Sequence, residues 1–253
     1  MLDEARSTPT APPRRSTDFT LLGTRLAASP FLSSEERYVL EKSALPAKSI
    51  AINKDLLRQA EHVSHIEILI EGWACRYKIT RDGRRQIVGL LIPGDVANID
   101  SFMFTRPAYA VRTLCTTKTI SIPRDDLSNL AEQHSGIAKT LAWLAMRENA
   151  ILSEWILCLG RLSAKQRVAH LVCELGLRLS GLNETESCFE LPLTQEQIAD
   201  VLGLTAVHVN RMIRQLRGEG LIDVKGRIIR ISNMTALCRV AEFDADYLYD
   251  RID

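Results

Sequence analysis

From Lys48 to Ile122 apolar and polar residues trade places with a period of two. Ile66, Ile68 and Ile70 alternate with Glu67, Leu69 and Glu71, Gly72 interrupts, and Ala74-Cys75-Arg76-Tyr77-Lys78-Ile79 resumes the pattern. A period of two sends successive side chains to opposite faces, so these runs predict β-strands. Arg81-Asp82-Gly83-Arg84 separates two runs, and Asp-Gly supplies the positive φ angles of a two-residue hairpin turn. The next strand, Gln86 to Ile92, ends in Pro93-Gly94-Asp95, a second turn signal. Short strands punctuated this regularly predict a jelly roll or barrel of about 75 to 100 residues.

Beyond Gly136 the period lengthens. Up to Gly160 the chain has no Pro or internal Gly; Ile137, Leu144, Ile151 and Cys158 recur every seven residues, with Leu141, Glu148 and Trp155 offset by four. Two such series form a seam of the a/d kind along one helix. The helix could simply pack on its own domain. The preferred reading is a dimerisation helix over 136–160, whose seam of Ile137, Leu141, Leu144, Glu148, Ile151, Trp155 and Cys158 meets a second copy. Ala145, Leu152 and Leu159 would then face the helix's own domain. Arg161-Leu162-Ser163 breaks the pattern, and Ser163 can cap a further helix from Ala164 to about Leu179, so a boundary falls near Gly160. Upstream, Ser33 and Glu36 form a capping box for a helix over Ser34–Lys42. Residues 1–19, with Thr8-Pro9-Thr10-Ala11-Pro12-Pro13, are expected to be a disordered tail, and Ser180 to Ser187 a polar loop.

The C-terminal third carries the most specific pattern. Thr194 and Gln197 form a capping box for a helix over Gln195–Leu202, Gly203 makes a tight turn, and Thr205 caps a second helix over Ala206–Arg217. Small Ala199 lets the helices approach, and Leu204, Val209, Met212, Ile213 and Leu216 supply a common buried face. This is a helix-turn-helix pattern. With Val209 and Leu216 inward, Val207, Arg211 and Arg214 point most directly outward, flanked by Asn210 and Gln215. No Asp or Glu lies between Thr205 and Gly218. Arg can fork onto guanine or pair with phosphate, Asn can pair with adenine, and Val can touch a thymine methyl group. His208, at the edge of this face, and Thr205, where helix N–H groups converge, suit phosphate. Leu221–Val224 and Arg227–Ile231 alternate around Lys225-Gly226, a hairpin like a wing whose Lys225 and Arg227 would reach the DNA backbone.

Composition adds limits. The 253 residues are 46% hydrophobic, enough for two cores. Lys plus Arg number 32 against 31 Asp plus Glu, so the net charge of +1 is silent about nucleic acid and only local clustering speaks. Cys75, Cys115, Cys158, Cys173, Cys188 and Cys238 form no CxxC pair, as expected of reduced thiols. No apolar run approaches the roughly 18 to 20 residues of a membrane span, and Met1-Leu2-Asp3-Glu4 opens no signal core, so a cytoplasmic location is expected.

Taken in order, Glu71-Gly72, Asp82-Gly83, Pro93-Gly94-Asp95, the long helix to Gly160 and Leu193-Thr194 to Ile222 resemble the Crp/Fnr family of bacterial transcription regulators over most of the chain. The resemblance implies an α+β chain. A cyclic-nucleotide-binding-like jelly roll (20–135) would be followed by a dimerisation helix (136–160) and a winged helix-turn-helix (161–253). It also implies a homodimer on two-fold symmetric double-stranded DNA, with RNA polymerase as a further partner. The chain departs from the family at several points. Cyclic-AMP-binding members carry a Gly-Glu pair and an Arg-Ser pair for the cyclic phosphate, where this chain has Asn98-Ile99 and Tyr109-Ala110. No response to cyclic AMP is expected, and the effector is unknown. Oxygen-sensing members hold an iron–sulfur cluster on N-terminal cysteines, whereas the first cysteine here is Cys75; no cofactor is expected. Val207 stands where members commonly place a Glu before the recognition Arg, retained as Arg211, so the half-site should differ.

Two other chemistries compete with this reading. A cupin-like enzyme needs clustered His with a carboxylate, and His62 and His65 lack the alternate spacing that puts two ligands on one strand face; no enzyme and no metal are expected. A redox switch at Cys158 or Cys75 competes with the commoner role of Cys as a small buried hydrophobe.

Overall fold

The structure, a computed structural model, describes residues 24–180 and 188–248; the proline-rich tail and nearly all of the expected polar loop lie outside them. Helix α1 (Ser34–Ser43) begins at Ser33 with the reciprocal capping box expected from Glu36. Seven strands follow: β1 (Lys48–Ile50), β2 (Asp55–Leu57), β3 (His65–Glu71), β4 (Ala74–Ile79), β5 (Arg85–Leu91), β6 (Ala110–Thr113) and β7 (Thr117–Pro123). They pair antiparallel in two sheets, of order β1-β7-β3 and β2-β6-β4-β5. This is the two-sheet solution to short strands that cannot each bury a face alone.

Strand β3 is covered on both faces. Ile66 and Ile68 point, with Ile120 and Ile122 of β7, into a core shared with Leu26, Leu40 and Leu127, while Leu69 joins Leu57, Ala74, Leu91 and Val111 between the sheets. Leu69 is thus as fully buried as Ile66 and Ile68, although alternation groups it with Glu67 and Glu71. The pairing register with β7 shifts between Leu69 and Glu71, just before Gly72. Gly72 has φ +81°, and a Cβ there would lie 2.5 Å from the Thr116 carbonyl oxygen, so only glycine fits.

The hairpin after β4 is one residue longer than Asp-Gly alone suggests. Thr80 N–H donates to Arg84 O at 2.9 Å, Gly83 N–H donates to Thr80 O at 2.9 Å, and Gly83 but not Asp82 has positive φ. These contacts describe a three-residue loop with glycine at its left-handed position. At Pro93-Gly94 the turn closes as expected, Asp95 N–H donating to Ile92 O at 3.0 Å.

Helix α2 (Arg124–Gln133) leads into α3 (Ser135–Arg161), of 27 residues. Leu162 is extended, and α4 (Ala164–Ser180) starts the C-terminal module. There β8 (Cys188–Glu190), β9 (Ile222–Lys225) and β10 (Ile228–Ile231) form a sheet of order β8-β10-β9 beside α5 (Gln195–Leu202), α6 (Ala206–Gly218) and α7 (Met234–Ala241). The outer face of the β4–β5 sheet, with Cys75, Tyr77 and Ile87, is continuous with the core of α4 to α7. Across this junction Arg85 pairs with Asp200 of α5 at 2.6 Å. No helix among the described residues is long and apolar enough to cross a membrane.

The long helix turns the opposite way from the sequence expectation. Ile137, Leu141 and Leu144 sit in the core beneath α1 and α2, Trp155 sits in the core of the C-terminal module, and Cys158 is buried. Ile151 packs partly against the same module, and Glu148 accepts a hydrogen bond from Arg76 of β4. The expected seam to a second copy is therefore occupied by the chain itself. The open face carries Ala138, Ala142, Ala145, Asn149, Leu152 and Ile156, with Ile156 72% exposed. Both stripes repeat every seven residues. The larger, more apolar one is drawn to the nearer core, where it removes more surface from water.

Candidate nucleic-acid interface

Thr194 caps α5 with the full box to Gln197, and Gly203 ends the helix at φ +61°. Thr205 Oγ1 accepts from His208 N–H to cap α6. The two caps and the glycine place α5 and α6 around one core of Ile198, Val201, Leu202, Val209, Met212 and Leu216. With that face buried, Thr205, Val207, His208, Asn210, Arg211 and Arg214 all stand exposed, Val207 at 78%. The outward face derived from helical rotation is the one observed. His208 Nδ1 lies 3.2 Å from Thr205 Oγ1, at the helix N-terminus.

The wing pairs β9 with β10 in register Lys225↔Ile228, leaving Gly226 and Arg227 at its tip. Lys225 and Arg227 are exposed. Asp223, on the same wing, lies 3.9 Å from Lys225 Nζ and 3.8 Å from Arg217. Both approaches are long and exposed, which costs little to release when a phosphate competes. The wing's third strand, β8, and the closing helix α7 escaped the sequence reading. Asn233 ahead of Met234, Leu237 and Ala241 is a cap followed by helical spacing that could have revealed α7.

In the sandwich, the positions that depart from the nucleotide-binding pattern are committed to other partners. Asn98 is buried, accepting from Glu67 N–H at 2.8 Å and donating to His65 O at 2.9 Å. The Tyr109 hydroxyl donates to Asp100, and Arg76 lies 5.4 Å above its ring. His65, weighed as a metal ligand, holds Nδ1 2.9 Å from Ser64 Oγ.

A buried ionic network, not anticipated from sequence, joins the sandwich to the DNA-reading module. Asp95 Oδ1 accepts from Arg25 Nε at 2.7 Å; its Oδ2 accepts from Arg178 at 2.6 Å and from Ile92 N–H at 2.9 Å. Arg178 also reaches Glu174 at 2.9 Å and the Leu90 carbonyl at 3.2 Å. Burial alone would push the Asp95 carboxyl up, but the guanidinium groups of Arg178 and Arg25 hold it down at about 2. Asp95 stands 70 positions from Arg25 and 83 from Arg178, so periodicity carries no trace of their meeting.

A two-sheet sandwich, a long helix and a winged helix-turn-helix with a basic outer face define a DNA-binding transcription regulator. Residues 48–134 match the model of the cyclic nucleotide-binding domain and residues 166–240 that of the Crp-like helix-turn-helix domain. The chain is 28% identical over 218 residues to the transcriptional activator protein FnrL of Cereibacter sphaeroides, covering 84% of this chain and 87% of that protein. It is 27% identical over 211 residues to the anaerobic regulatory protein of Pasteurella multocida, covering 83% and 77% respectively. The solved structure of FixK2 from Bradyrhizobium japonicum superposes with a TM-score of 0.72 at 26% identity, covering 80% of this chain and 99% of that one. The chain belongs to the Crp/Fnr family of transcription regulators.

Proposed function

We propose that this regulator acts in the cytoplasm as a homodimer on two-fold symmetric double-stranded DNA, its half-sites one helical turn or roughly 34 Å apart. The observation that carries the DNA-reading assignment is the exposed, acid-free face of α6. On this reading Arg211, Arg214, Asn210 and Val207 meet base edges, Thr205 and His208 meet phosphate, and Lys225 and Arg227 hold the backbone from the wing. The division is 20–135 for sensing, 136–160 for the linking helix and 161–253 for reading DNA, with RNA polymerase as a protein partner.

Dimerisation is assigned to the open face of α3 rather than to its buried seam. Beside that face runs a groove of about 490 Å³, lined by Ile99, Phe102, Met103, Leu141, Ala142 and Leu152 among others. Met103 and Phe104 on its rim are 71% and 68% exposed. A second α3, packed against the first, would cover these apolar surfaces. The effector is not cyclic AMP on this reading, because Asn98-Ile99 and Tyr109-Ala110 replace the pairs that hold the cyclic phosphate and Asn98 and Tyr109 bond within the chain, and no catalytic step is assigned. Genome-wide mapping of bound sites tests the whole: the expected result is a palindromic motif with the stated spacing. A single asymmetric half-site, or no enrichment over random DNA, would overturn it.

A further inference from the structure

Glu154 and Cys158 stand one turn apart near the end of α3, and His170 reaches towards them from α4. One ligand atom from each of the three lies within 4.8 Å of the other two. Cys158 and His170 are 6% and 3% exposed, and Glu154 is half-buried. We propose that these three side chains form a binding site for a borderline-soft divalent cation of the zinc class at the α3–α4 junction.

Imidazole, thiolate and carboxylate together are a ligand set that Zn²⁺ accepts, and three protein ligands leave a fourth position for water. With metal–ligand distances of about 2.0 to 2.3 Å, tetrahedral donors stand roughly 3.5 Å apart, so the cluster needs to close by only about 1 Å. A cavity of about 20 Å³ lined by both Cys158 and His170 adjoins the cluster, which is space for one small occupant.

The surroundings suit a metal ligand. The His170 ring is held edge-on by Phe243, with centroids 4.9 Å apart, and stacked on Tyr247. Its Nε2 lies 3.3 Å from the Tyr247 hydroxyl, which donates to Glu174 at 2.9 Å, the kind of outer contact that orients a ligating imidazole. Nδ1 is buried without a well-formed hydrogen bond, although the ring also feels the Ala241 backbone. On binding, the Cys158 thiol releases its proton to solvent and forms a sulfur–metal bond; no electron is transferred. The ion would tie α3 to the first helix of the DNA-reading module across the extended residue Leu162.

The test uses the full chain, reduced and freed of metal with a chelator, then titrated with Co²⁺. One cobalt per chain should bind, with the visible bands of four-coordinate cobalt and a thiolate-to-cobalt charge-transfer band. Cys158→Ser should abolish that band, and Glu154→Gln, at a half-buried position that leaves the fold intact, should weaken binding at least about tenfold. Cys173 and Cys238, whose sulfurs lie 3.7 Å apart, are the competing thiols; Cys173→Ser and Cys238→Ser should leave the band in place. Zn²⁺ should raise the Tm of the parent chain and not that of Cys158→Ser. Absence of the charge-transfer band, its survival in Cys158→Ser, its loss in Cys238→Ser, or unchanged affinity in Glu154→Gln would each overturn the proposal.

Discussion

Replacing Asp95 by Asn removes the carboxylate that Arg25 and Arg178 share across the junction of the sandwich with α4. The amide keeps one acceptor oxygen but turns an N–H₂ group towards one of two guanidinium groups, and Arg178 is almost wholly buried. Breaking a buried ion pair from one side costs about 3–5 kcal/mol, most of it the unbalanced charge left behind. Part of that cost depends on pH in a calculable way. The carboxyl pKa falls from 3.8 to about 2 on folding. At roughly 1.4 kcal/mol per unit, this contributes about 2 kcal/mol at neutral pH. Because the folded value is the depressed one, the contribution is complete above the unfolded pKa and is lost as pH falls from about 4 towards about 2; roughly 1 kcal/mol has gone by pH 3. Urea unfolding of the parent chain and of Asp95→Asn, followed by tryptophan fluorescence from pH 7 to pH 3, measures both parts. The variant should be less stable by about 3 kcal/mol at pH 7, and the gap should narrow by about 1 kcal/mol at pH 3. A gap under about 1 kcal/mol at pH 7, or one that does not change with pH, would refute the network as described.

Arg211→Ala should cost about 1–3 kcal/mol of operator affinity and relax the preference at one base pair, whereas Lys225→Ala should weaken specific and random DNA alike and lower the salt slope by about one. Equal losses on both DNAs for Arg211→Ala, in fluorescence anisotropy titrations, would count against base reading. Ile156→Glu should shift the protein towards monomer in sedimentation while leaving chain stability nearly unchanged, because Ile156 is 72% exposed. Ile137→Ala, at a fully buried position, should instead lower stability by about 2–5 kcal/mol. Isothermal titration with cyclic AMP should show no binding at micromolar concentrations; a saturable heat there would show that Asn98 and Tyr109 do not close the site.

Local chemistry made much of this protein legible in one dimension. The capping boxes at Ser33 and Thr194, the left-handed Gly203 and the helical rotation that exposes Val207, Arg211 and Arg214 depend on residues within a turn or two of one another. Backbone stereochemistry and side-chain reach act at that range, so the reading head could be derived before any fold was known. The resemblance that named the family rests on the order of such local signals.

What the sequence left undecided are the choices that need a second surface. Two heptad stripes on α3 are equally periodic, and the residues that pack on Ile137, Leu144 and Trp155 lie in other segments; only packing shows that Leu152 and Ile156 remain outside. Alternation groups Leu69 with Glu67 and Glu71, but it says only which residues share a face, not whether both faces will be covered. The meeting of Asp95 with Arg25 and Arg178, and of Glu154 and Cys158 with His170, is likewise a tertiary fact. Periodicity and caps determined α1, α3 to α6, the strands around Gly72 and Gly83, and the outward face of α6. Burial of apolar area and the pairing of charges across long separations, both of which exist only once the chain has closed on itself, determined which faces meet.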